Sequence, residues 1–402
     1  MACKRDIWDR DLSRPKPLTL YRFLLAQLFF QSLRDKFTPK QITKALNRLR
    51  HQSSSADDDQ KLALLRLVYD GAMERINGQM PGHQELAKHV LSWITCAKRP
   101  LTTTELQHAW AVRDSEDELD KDSLPEVEDM ISVCAGLVTV DHDGGIIRLV
   151  HYTTQEYFEQ TLDASFPNVH FEMARTCVAY LSFSTFSSGA KHYPRLQADP
   201  LISYAARNWG HHAREAAYVP DEVLDFLQKR NNTAAAYEVL LGYNEMTRAL
   251  AKLRFHIFGE HRNLKASRGG ARGLHLAAYF GLESTTMQLL AAGYGPNMRD
   301  EHHYTPLHHA AAEGHVAVVR ALLAGKADAT ATDYHGKTPL RRACEKGHAA
   351  VVQALLDSTQ VDLGQEAQSD STALIVAVRK EREAVMQELL DSMTAPVSLS
   401  LQ

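Results

Sequence analysis

Apolar residues recur at helical spacing along most of the chain, and near the C-terminal end one such pattern is repeated. The segment that begins at Thr305, TPLHHAAAEGHVAVVRALLAGKAD, recurs from Thr338 and, less closely, from Gly273 and Thr372. One leucine of each copy marks a period of 33, 33 and 34 residues: Leu274, Leu307, Leu340 and Leu374. A fixed period of this length predicts a stack of helical units, each of which buries its apolar face against its neighbours.

The residue types within each copy predict two short helices joined by a tight turn. Thr-Pro suits the start of a helix, because threonine caps the first turn and proline is tolerated there. Gly314 and Gly347 stand where the chain must reverse, which favours a residue that accepts positive φ. The second helix then carries a predicted apolar stripe: Val318, Val319, Leu322 and Leu323.

These copies resemble ankyrin repeats, the middle two most closely. The outer copies depart from the pattern, since Arg272-Gly273 replaces Thr-Pro in the first and Glu381-Arg382 replaces Gly-His in the last. Polar outer copies are typical of the ends of a finite stack. The sequence therefore predicts four repeats within 261–392, with these approximate limits and a tail over 393–402: 270–303, 304–336, 337–370 and 371–392.

Residues 81–165 are predicted to form a winged-helix domain. Three capping boxes of the form S/T-x-x-E mark helix starts: Thr102 with Glu105, Ser123 with Glu126, and Thr153 with Glu156. LVTV and IIRLVHY flank Asp143-Gly144 and predict one β-hairpin. Together with the preceding helix HQELAKHVLSWITCAK, they give the order helix, helix, helix, hairpin.

The expected fold class is mainly α. A helical segment over 1–80 precedes the winged-helix domain, and a helical region over 166–260 separates that domain from a short α-solenoid. Within this region, residues 231–258 are expected to pack as a degenerate cap on the solenoid.

A winged helix can bind DNA through its third helix, but here that helix is acidic. It carries Glu126, Glu128 and Asp129 and no lysine or arginine, and the loop before it is DSEDELDKD. Because an acidic face repels phosphate, we predict no nucleic-acid partner.

Three segments of this domain resemble the winged-helix region of fungal NACHT-type, signal-transducing NTPases that end in ankyrin repeats: VLSWITCAKRPLTTTELQHAWAV, EDMISVCAGLVTVD and IIRLVHYTTQEYFE. That region often bears the label GPI inositol-deacylase winged-helix domain, which transfers no deacylase chemistry to a chain without a hydrolase signature. FLLAQLFFQSLRDKFTPKQITKALNRLR, within 1–80, is similar to the helices that close the NTPase module. The resemblance implies an NTPase core before these helices, and we expect that core to be absent from this chain.

Composition is that of an ordinary globular protein, with 44% hydrophobic residues, 23% charged residues and a net charge of −4. The five cysteines are scattered without a CxxC pair, which is typical of a reduced, intracellular protein, cytoplasmic or nuclear. The most apolar stretch, residues 20–33, is interrupted by Arg22, Gln27 and Gln31 and is too short to span a bilayer. We therefore predict no membrane partner.

Five histidines within residues 302–315, HHYTPLHHAAAEGH, raise the question of a metal site. His308 and His315 occupy motif positions at which imidazoles form local hydrogen bonds, and His309 directly follows His308, so these two cannot share a helical face. The segment lacks an i, i+4 pair of the HExxH type and has no cysteine nearby. We predict that structure accounts for most of these histidines and that no metal binds.

Gly336-Lys337-Thr338 resembles the end of a P-loop, but Ala331 replaces the required earlier glycine and no apolar strand leads into it. No GxSxG elbow is present either. The sequence therefore predicts no cofactor, no catalytic residue and no enzyme activity.

Two hypotheses of function follow. The leading one is a non-catalytic scaffold that binds a protein through the fingers and first helices of its repeats, with these candidate contacts: Glu301, His302, His303, Tyr304, His309, Tyr334, His335, Arg341 and Arg342. Arg341 stands where the motif usually has histidine. The alternative is the sensor or regulatory arm of a NACHT-type NTPase, with the nucleotide-binding core supplied by another chain or a longer form.

Overall fold

The computed structural model describes residues 58–112, 117–141, 145–187, 199–242, 272–300 and 302–358. The predicted helices before residue 58, the turn at Asp143-Gly144, Glu301, the fourth repeat and the tail lie outside these ranges. The chain divides into two compact units, one made of 1–110 with 123–167 and the other of 111–122 with 168–402. No helix in the described ranges combines the length and the apolar character needed to cross a membrane.

The first unit is a winged-helix domain preceded by a long helix. Its helices are α1 (Asp58–Asn77), α2 (Pro81–Cys96), α3 (Thr103–Ala111), α4 (Val127–Ser132), α5 (Tyr152–Gln160) and α6 (Leu162–Ser165). Its strands are β1 (Leu101–Thr102), β2 (Val138–Asp141) and β3 (Ile146–Leu149). The predicted hairpin is β2–β3, and the short β1 adds to it, so that the antiparallel sheet has the order β1-β3-β2.

Apolar side chains from the helices and the sheet form the core of this unit. Helix α2 contacts β3, α4 and α5, and the buried residues of these elements include Val90, Met130, Ile147 and Phe158. The alternation of buried and exposed residues along β3 is what a strand with one solvated face requires.

Only one of the three predicted capping boxes is present. Thr102 and Glu105 exchange two bonds, with each backbone N–H donating to the other's side chain at 3.0 and 3.2 Å. The Ser123 box is wrong, because α4 begins at Val127 with Glu126 as its N-cap; Pro125 lies between and disfavours a helical residue before it.

The Thr153 box is also wrong, because α5 begins at Tyr152, two residues earlier than the box requires. His151 is the N-cap, and its Nδ1 accepts from the backbone N–H of Thr153 at 3.2 Å. The hydroxyl of Thr153 instead lies 2.6 Å from the hydroxyl of Tyr69 on α1. The Thr153 hydroxyl therefore forms a buried tertiary hydrogen bond, and His151 caps the helix in its place.

Before the repeats, the described ranges of the second unit contain a 3-10 turn at Ser184–Phe186 and these α-helices: α7 (Val169–Leu181), α8 (Ile202–Glu215), α9 (Asp221–Gln228) and α10 (Arg230–Leu241). Helices α7 and α8 pack against each other, and α8 also contacts α10. The segment between α3 and α4 belongs to this unit as well, since the backbone N–H of Ser184 donates to the carbonyl of Asp117 at 2.8 Å.

Three ankyrin copies follow as pairs of helices: α11 (Gly273–Phe280) with α12 (Glu283–Ala291), α13 (Pro306–Glu313) with α14 (Val316–Ala324), and α15 (Pro339–Lys346) with α16 (Ala349–Leu356). Gly314 and Gly347 have positive φ at the turns between paired helices, as predicted, and Gly281 has the same conformation in the first copy. Val318, Val319 and Leu322 are buried, whereas Leu323 is only half-buried. The fold class predicted from the sequence is confirmed.

The helices before the repeats cover the first copy. Trp209 on α8 contacts the ring of Phe280 on α11, with 4.8 Å between ring centroids. A Cβ on Gly210 would lie 2.1 Å from that ring, and a Cβ on Gly273 would lie 2.1 Å from the carbonyl oxygen of Leu227 on α9. The expectation of a polar first copy is therefore wrong: α11 is an apolar helix docked under α8–α10, and glycine replaces proline at its start because the neighbouring backbone lies so close.

Candidate binding surface

Histidines join consecutive repeats through backbone carbonyls. Nε2 of His308 donates to the carbonyl of Lys337 at 3.1 Å, and His275, one repeat earlier, contacts the corresponding carbonyl of Tyr304 at 3.2 Å. On the turn between helices, Nε2 of His315 donates to the carbonyl of Tyr279 at 2.9 Å. The local role predicted for His308 is confirmed, because its Nδ1 accepts from the N–H of Thr305 in a capping box, and the structure adds a bond to the next repeat.

Burial keeps these imidazoles neutral, although their bonds to backbone carbonyls act in the opposite direction. Burial lowers the pKa of His308 to about 4 and that of His275 to about 3. In His308 one ring nitrogen accepts and the other donates, so a second proton would break the bond from Thr305. Burial likewise lowers the pKa of His315 to about 4. The repeats are joined by uncharged imidazoles.

Two aspartates fold the turns, or fingers, that precede the first helices. Oδ1 of Asp300 accepts from the backbone N–H groups of His302 and Tyr304 at 2.8 and 2.7 Å. Asp333, 33 residues on, accepts in the same way from His335 and Lys337 at 2.7 and 3.0 Å. We call the side of the repeats formed by these turns and the first helices the finger face.

The second oxygen of each aspartate binds the side chain nine residues later. Oδ2 of Asp300 lies 3.5 Å from Nε2 of His309 and accepts the hydroxyl of Tyr237 on α10 at 2.5 Å. That hydroxyl also lies 2.6 Å from Nε2 of His309. Although burial opposes ionisation of Asp300, its bonds to His309 and Tyr237 hold its pKa well below the usual range.

His309 therefore does not belong to the exposed surface. Its side chain is only 8% exposed, and Tyr237 covers it from α10. Its expected contact with a partner is contradicted by this burial, because Tyr237 of α10 already occupies Nε2 of the imidazole.

The third repeat places a cluster of charges at the corresponding positions. Arg342 donates through Nε to Oδ2 of Asp333 at 2.8 Å, and through Nη2 to the hydroxyl of Tyr304. Its guanidinium also lies over the ring of Tyr304, 4.9 Å from the centroid. Burial opposes ionisation of Asp333, but the Lys337 amide and Arg342 lower its pKa.

Glu345 lies at the centre of the remaining charges of this repeat. Its Oε1 is 2.6 Å from Nζ of Lys337 and 3.6 Å from Nε of Arg341. The Oε2 atom of Glu345 is 3.8 Å from Nη1 of Arg342. Lys337 thus belongs to an ion pair on the finger, in a turn closed by Gly336 with positive φ rather than in a phosphate-binding loop.

The finger tips expose aromatic and imidazole side chains. Tyr334 is 42% exposed, and His303 and His335 are exposed as well. The backbone N–H of Tyr334 donates to the carbonyl of His302 at 3.0 Å, which fixes one finger against the next. The structure thus brings together His302, His303, Tyr304, Tyr334, His335, Arg341 and Arg342. His309 contacts the ring of Tyr304 but is buried, and Glu301 is not described.

The residues that hold this surface in place were not predicted from the sequence: Tyr237, Asp300, Asp333 and Glu345. The two aspartates carried a usable signal, since each lies five residues before the Thr of a Thr-Pro pair. Tyr237 carried none, because it comes from a helix outside the repeat. In the part of the chain that the structure describes, no group of three or more His, Cys, Asp or Glu side chains is arranged to hold a metal ion.

Comparisons with known proteins match two parts of the chain. Residues 274–367 match a family model of ankyrin repeats in three copies, and residues 73–168 match the model of the GPI inositol-deacylase winged helix domain. These matches confirm the predicted arrangement of a winged-helix domain followed by ankyrin repeats. The exact limits of the predicted domains remain predictions.

The chain is also similar to the azaphilone pigments biosynthesis cluster protein L of Monascus ruber, with 28% identity over 225 residues. The alignment covers 51% of this chain and 46% of that relative, so the chain spans less than half of the relative's length.

Proposed function

We propose that this chain is a non-catalytic interaction protein that binds a protein partner through the finger face of its ankyrin repeats. Ankyrin repeats support a role in protein interaction, since solenoids present extended surfaces for recognition. The observation that carries the proposal is that Asp333 and Tyr304 hold Arg342 in a fixed position, while Tyr334, on the finger that Asp333 folds, exposes its ring.

This preorganisation of Arg342 favours binding, because a side chain that is already fixed loses less conformational entropy when a partner binds. Arginine and tyrosine are also the residue types that contribute most binding energy at protein interfaces. The finger tips offer both, together with the imidazoles of His303 and His335.

A photo-crosslinking experiment tests this placement. A benzophenone amino acid would replace Tyr334 in one variant and Met287 in another, since Met287 is 55% exposed on α12, away from the finger face. We expect a specific protein adduct, identified by mass spectrometry in extracts of the native cells, from position 334 and none from position 287. No adduct at 334, or the same adducts from both positions, would contradict the proposal.

A second candidate is a regulatory arm of a NACHT-type NTPase, and the match of residues 73–168 to a winged-helix model supports it. In this case the segment over 1–80 would dock on an NTPase module carried by another chain or a longer form. Cross-linking of the full chain in native extracts would then join an NTPase to lysines within 1–80. ATP binding or hydrolysis by the purified chain alone would contradict both candidates.

A further inference from the structure

We propose that the third repeat of the finger face binds an acidic segment of the protein partner, with Arg341 and Arg342 as its contacts. This inference rests on the proposed function and adds the chemistry of the partner. It follows from a difference between two repeats that share one scaffold.

The second and third repeats place different charges at corresponding positions. Five positions correspond across the period of 33 residues: Asp300 with Asp333, Tyr304 with Lys337, His308 with Arg341, His309 with Arg342, and Ala312 with Glu345. At these five positions the second repeat has a single carboxylate, and its imidazole at position 308 is kept neutral by burial. The third repeat has three permanent cations and two carboxylates, so it carries a surplus of positive charge.

The excess positive charge of the third repeat lies on Arg341. Asp333 is bound by Arg342, and Glu345 forms its short contact, 2.6 Å, with Lys337. Arg341 reaches the same oxygen of Glu345 only at 3.6 Å. Among the described residues, Arg341 therefore has no carboxylate of its own, although the position is filled by a neutral histidine in the two repeats before it.

The second and third repeats also differ in the solvent exposure of these side chains. On the second, Tyr237 of α10 covers His309. On the third, the side chains of Lys337, Arg341 and Arg342 keep between 17% and 23% of their surface exposed. Within the described ranges, Arg341 and Arg342 are thus more accessible than His308 and His309, which occupy the corresponding positions of the second repeat. A carboxylate that enters there meets partly desolvated cations, where electrostatic attraction is stronger than at a fully exposed site.

An acidic peptide fits this cluster better than a nucleic acid does. Guanidinium groups bind carboxylates through paired, directional hydrogen bonds. Nucleic-acid affinity instead requires many cations that follow successive phosphates, whereas Glu345 and Asp333 interrupt the positive charge here. The exposed ring of Tyr334 offers apolar contact to a peptide beside the charged group.

The test measures binding of fluorescein-labelled peptides to the full chain by fluorescence anisotropy. One peptide alternates glutamate with serine, and a matched peptide has glutamine in place of glutamate. Arg341→Glu reverses the surplus charge, Arg341→His restores the residue of the two earlier repeats, and Arg320→Glu is the control, because Arg320 is an exposed cation on α14. Thermal unfolding followed by circular dichroism verifies that each variant is folded.

We expect the glutamate peptide to bind, the glutamine peptide not to bind, and Arg341→Glu to weaken binding about tenfold or more. Arg341→His should give an intermediate loss, and Arg320→Glu a change of less than about twofold. Equal losses from Arg341→Glu and Arg320→Glu would overturn the inference, because the attraction would then be nonspecific. Competition by a single-stranded oligonucleotide at equal strength, or wild-type affinity in Arg341→His, would overturn it as well.

Failure of this inference and failure of the proposed function can be distinguished. If position 334 cross-links a partner whose joined segment has no acidic residues, the inference fails and the proposed function stands. If position 334 cross-links nothing, the proposed function itself fails. If Arg341→Glu lowers the melting temperature and leaves peptide binding unchanged, Arg341 serves only stability beside Glu345, and the inference fails.

Discussion

At the residue scale, each finger depends on one aspartate that serves two purposes. One oxygen of Asp300 accepts two backbone N–H groups of the turn, and the other accepts a side chain from a helix outside the repeat. The buried hydroxyl of Tyr237 thus completes a site that the repeat cannot complete alone. Loss of that hydroxyl leaves a buried carboxylate with one bond fewer.

Tyr237→Phe should therefore lower the free energy of unfolding by about 1–3 kcal/mol, since the hydrogen bond is buried and one partner is charged. Urea unfolding followed by circular dichroism measures this change. The same substitution at Tyr218, whose side chain is 59% exposed, serves as a control and should change stability by less than about 0.5 kcal/mol. Equal effects at the two tyrosines would contradict the role assigned to the Tyr237 hydroxyl.

Gly314 allows a second comparison between matched residues. Gly314 and Gly293 have φ values of +80° and +89°, so an alanine at either position pays the cost of left-handed backbone, about 1 kcal/mol. A Cβ at Gly314 would also lie 2.7 Å from Nδ1 of His348, whereas a Cβ at Gly293 has no neighbour within 4 Å.

Gly314→Ala should therefore destabilise the protein by about 1–3 kcal/mol more than Gly293→Ala does, because the clash displaces the histidine that joins two repeats. The midpoints of urea unfolding of the two variants measure the difference. Equal midpoints would show that backbone conformation alone fixes glycine at this position.

The conformation and the role of a residue were predictable from the sequence where they depend on local contacts or on the repeated motif. The positive φ of Gly314 and the scaffold role of His308 followed from the repeated motif. The burial of His309 did not, because it depends on Tyr237, which is 72 positions away in the sequence. A motif position indicates which way a side chain points from its own repeat, and not which other element covers it.

At the element scale, α8–α10 pack so closely at their joint with the first repeat that neither Gly210 nor Gly273 has space for a Cβ atom. The missing side chain of Gly210 leaves space for the ring of Phe280, and that of Gly273 leaves space for the backbone of α9. The repeats therefore begin on a fitted apolar surface. The expected cap over residues 231–258 is described only as far as α10, which contacts α11.

Gly210→Ala should separate this joint and lower the free energy of unfolding by about 2 kcal/mol or more, since its Cβ would overlap the buried Phe280 ring. Gly71→Ala, within α1, has the opposite expected sign. Its Cβ meets nothing within 4 Å, so the higher helix propensity of alanine should stabilise the protein by about 0.5–1 kcal/mol. Differential scanning calorimetry of both variants measures the two signs, and a stabilising Gly210→Ala would contradict the fitted joint.

Element boundaries followed from the sequence where a local bond decides them. Thr102 and Glu105 form their predicted capping box, and the neighbouring Arg99 binds the Glu105 carboxylate without displacing it from the backbone N–H of Thr102. Thr153 does not form its box, because the hydroxyl of Tyr69 offers a buried partner that the sequence pattern cannot show. Short-range signals were reliable only where no tertiary partner was available.

At the scale of the whole molecule, neutral histidines make stability dependent on pH. An unfolded histidine takes up its proton near pH 6.5, whereas folded His308 and His315 do so only near pH 4, and His275 near pH 3. Between these values the unfolded chain binds more protons than the folded chain, so acid favours unfolding. The stabilisation is fully present above about pH 6.5 and is lost as the pH falls toward 4.

The free energy of unfolding should therefore fall by several kcal/mol, on the order of 1.4 kcal/mol per unit of pKa difference for each histidine, between pH 7 and pH 4. Urea titrations across this range measure the loss. His315→Gln should reduce the dependence on pH, whereas His335→Gln should not, because that side chain is exposed on a finger tip. A free energy that stays level down to pH 4 would contradict the neutral imidazoles.

The bonds between repeats also bear on how such a chain changes over generations. Each copy offers a carbonyl forward and a carbonyl backward at fixed positions, and its neighbours supply the imidazoles: His275 and His308 in one direction, His315 and His348 in the other. A duplicated unit brings both halves of every bond with it. Repeats joined in this way are exchangeable parts, and a copy that carries arginine in place of one such histidine, as the third does at Arg341, exchanges that imidazole for a permanent charge.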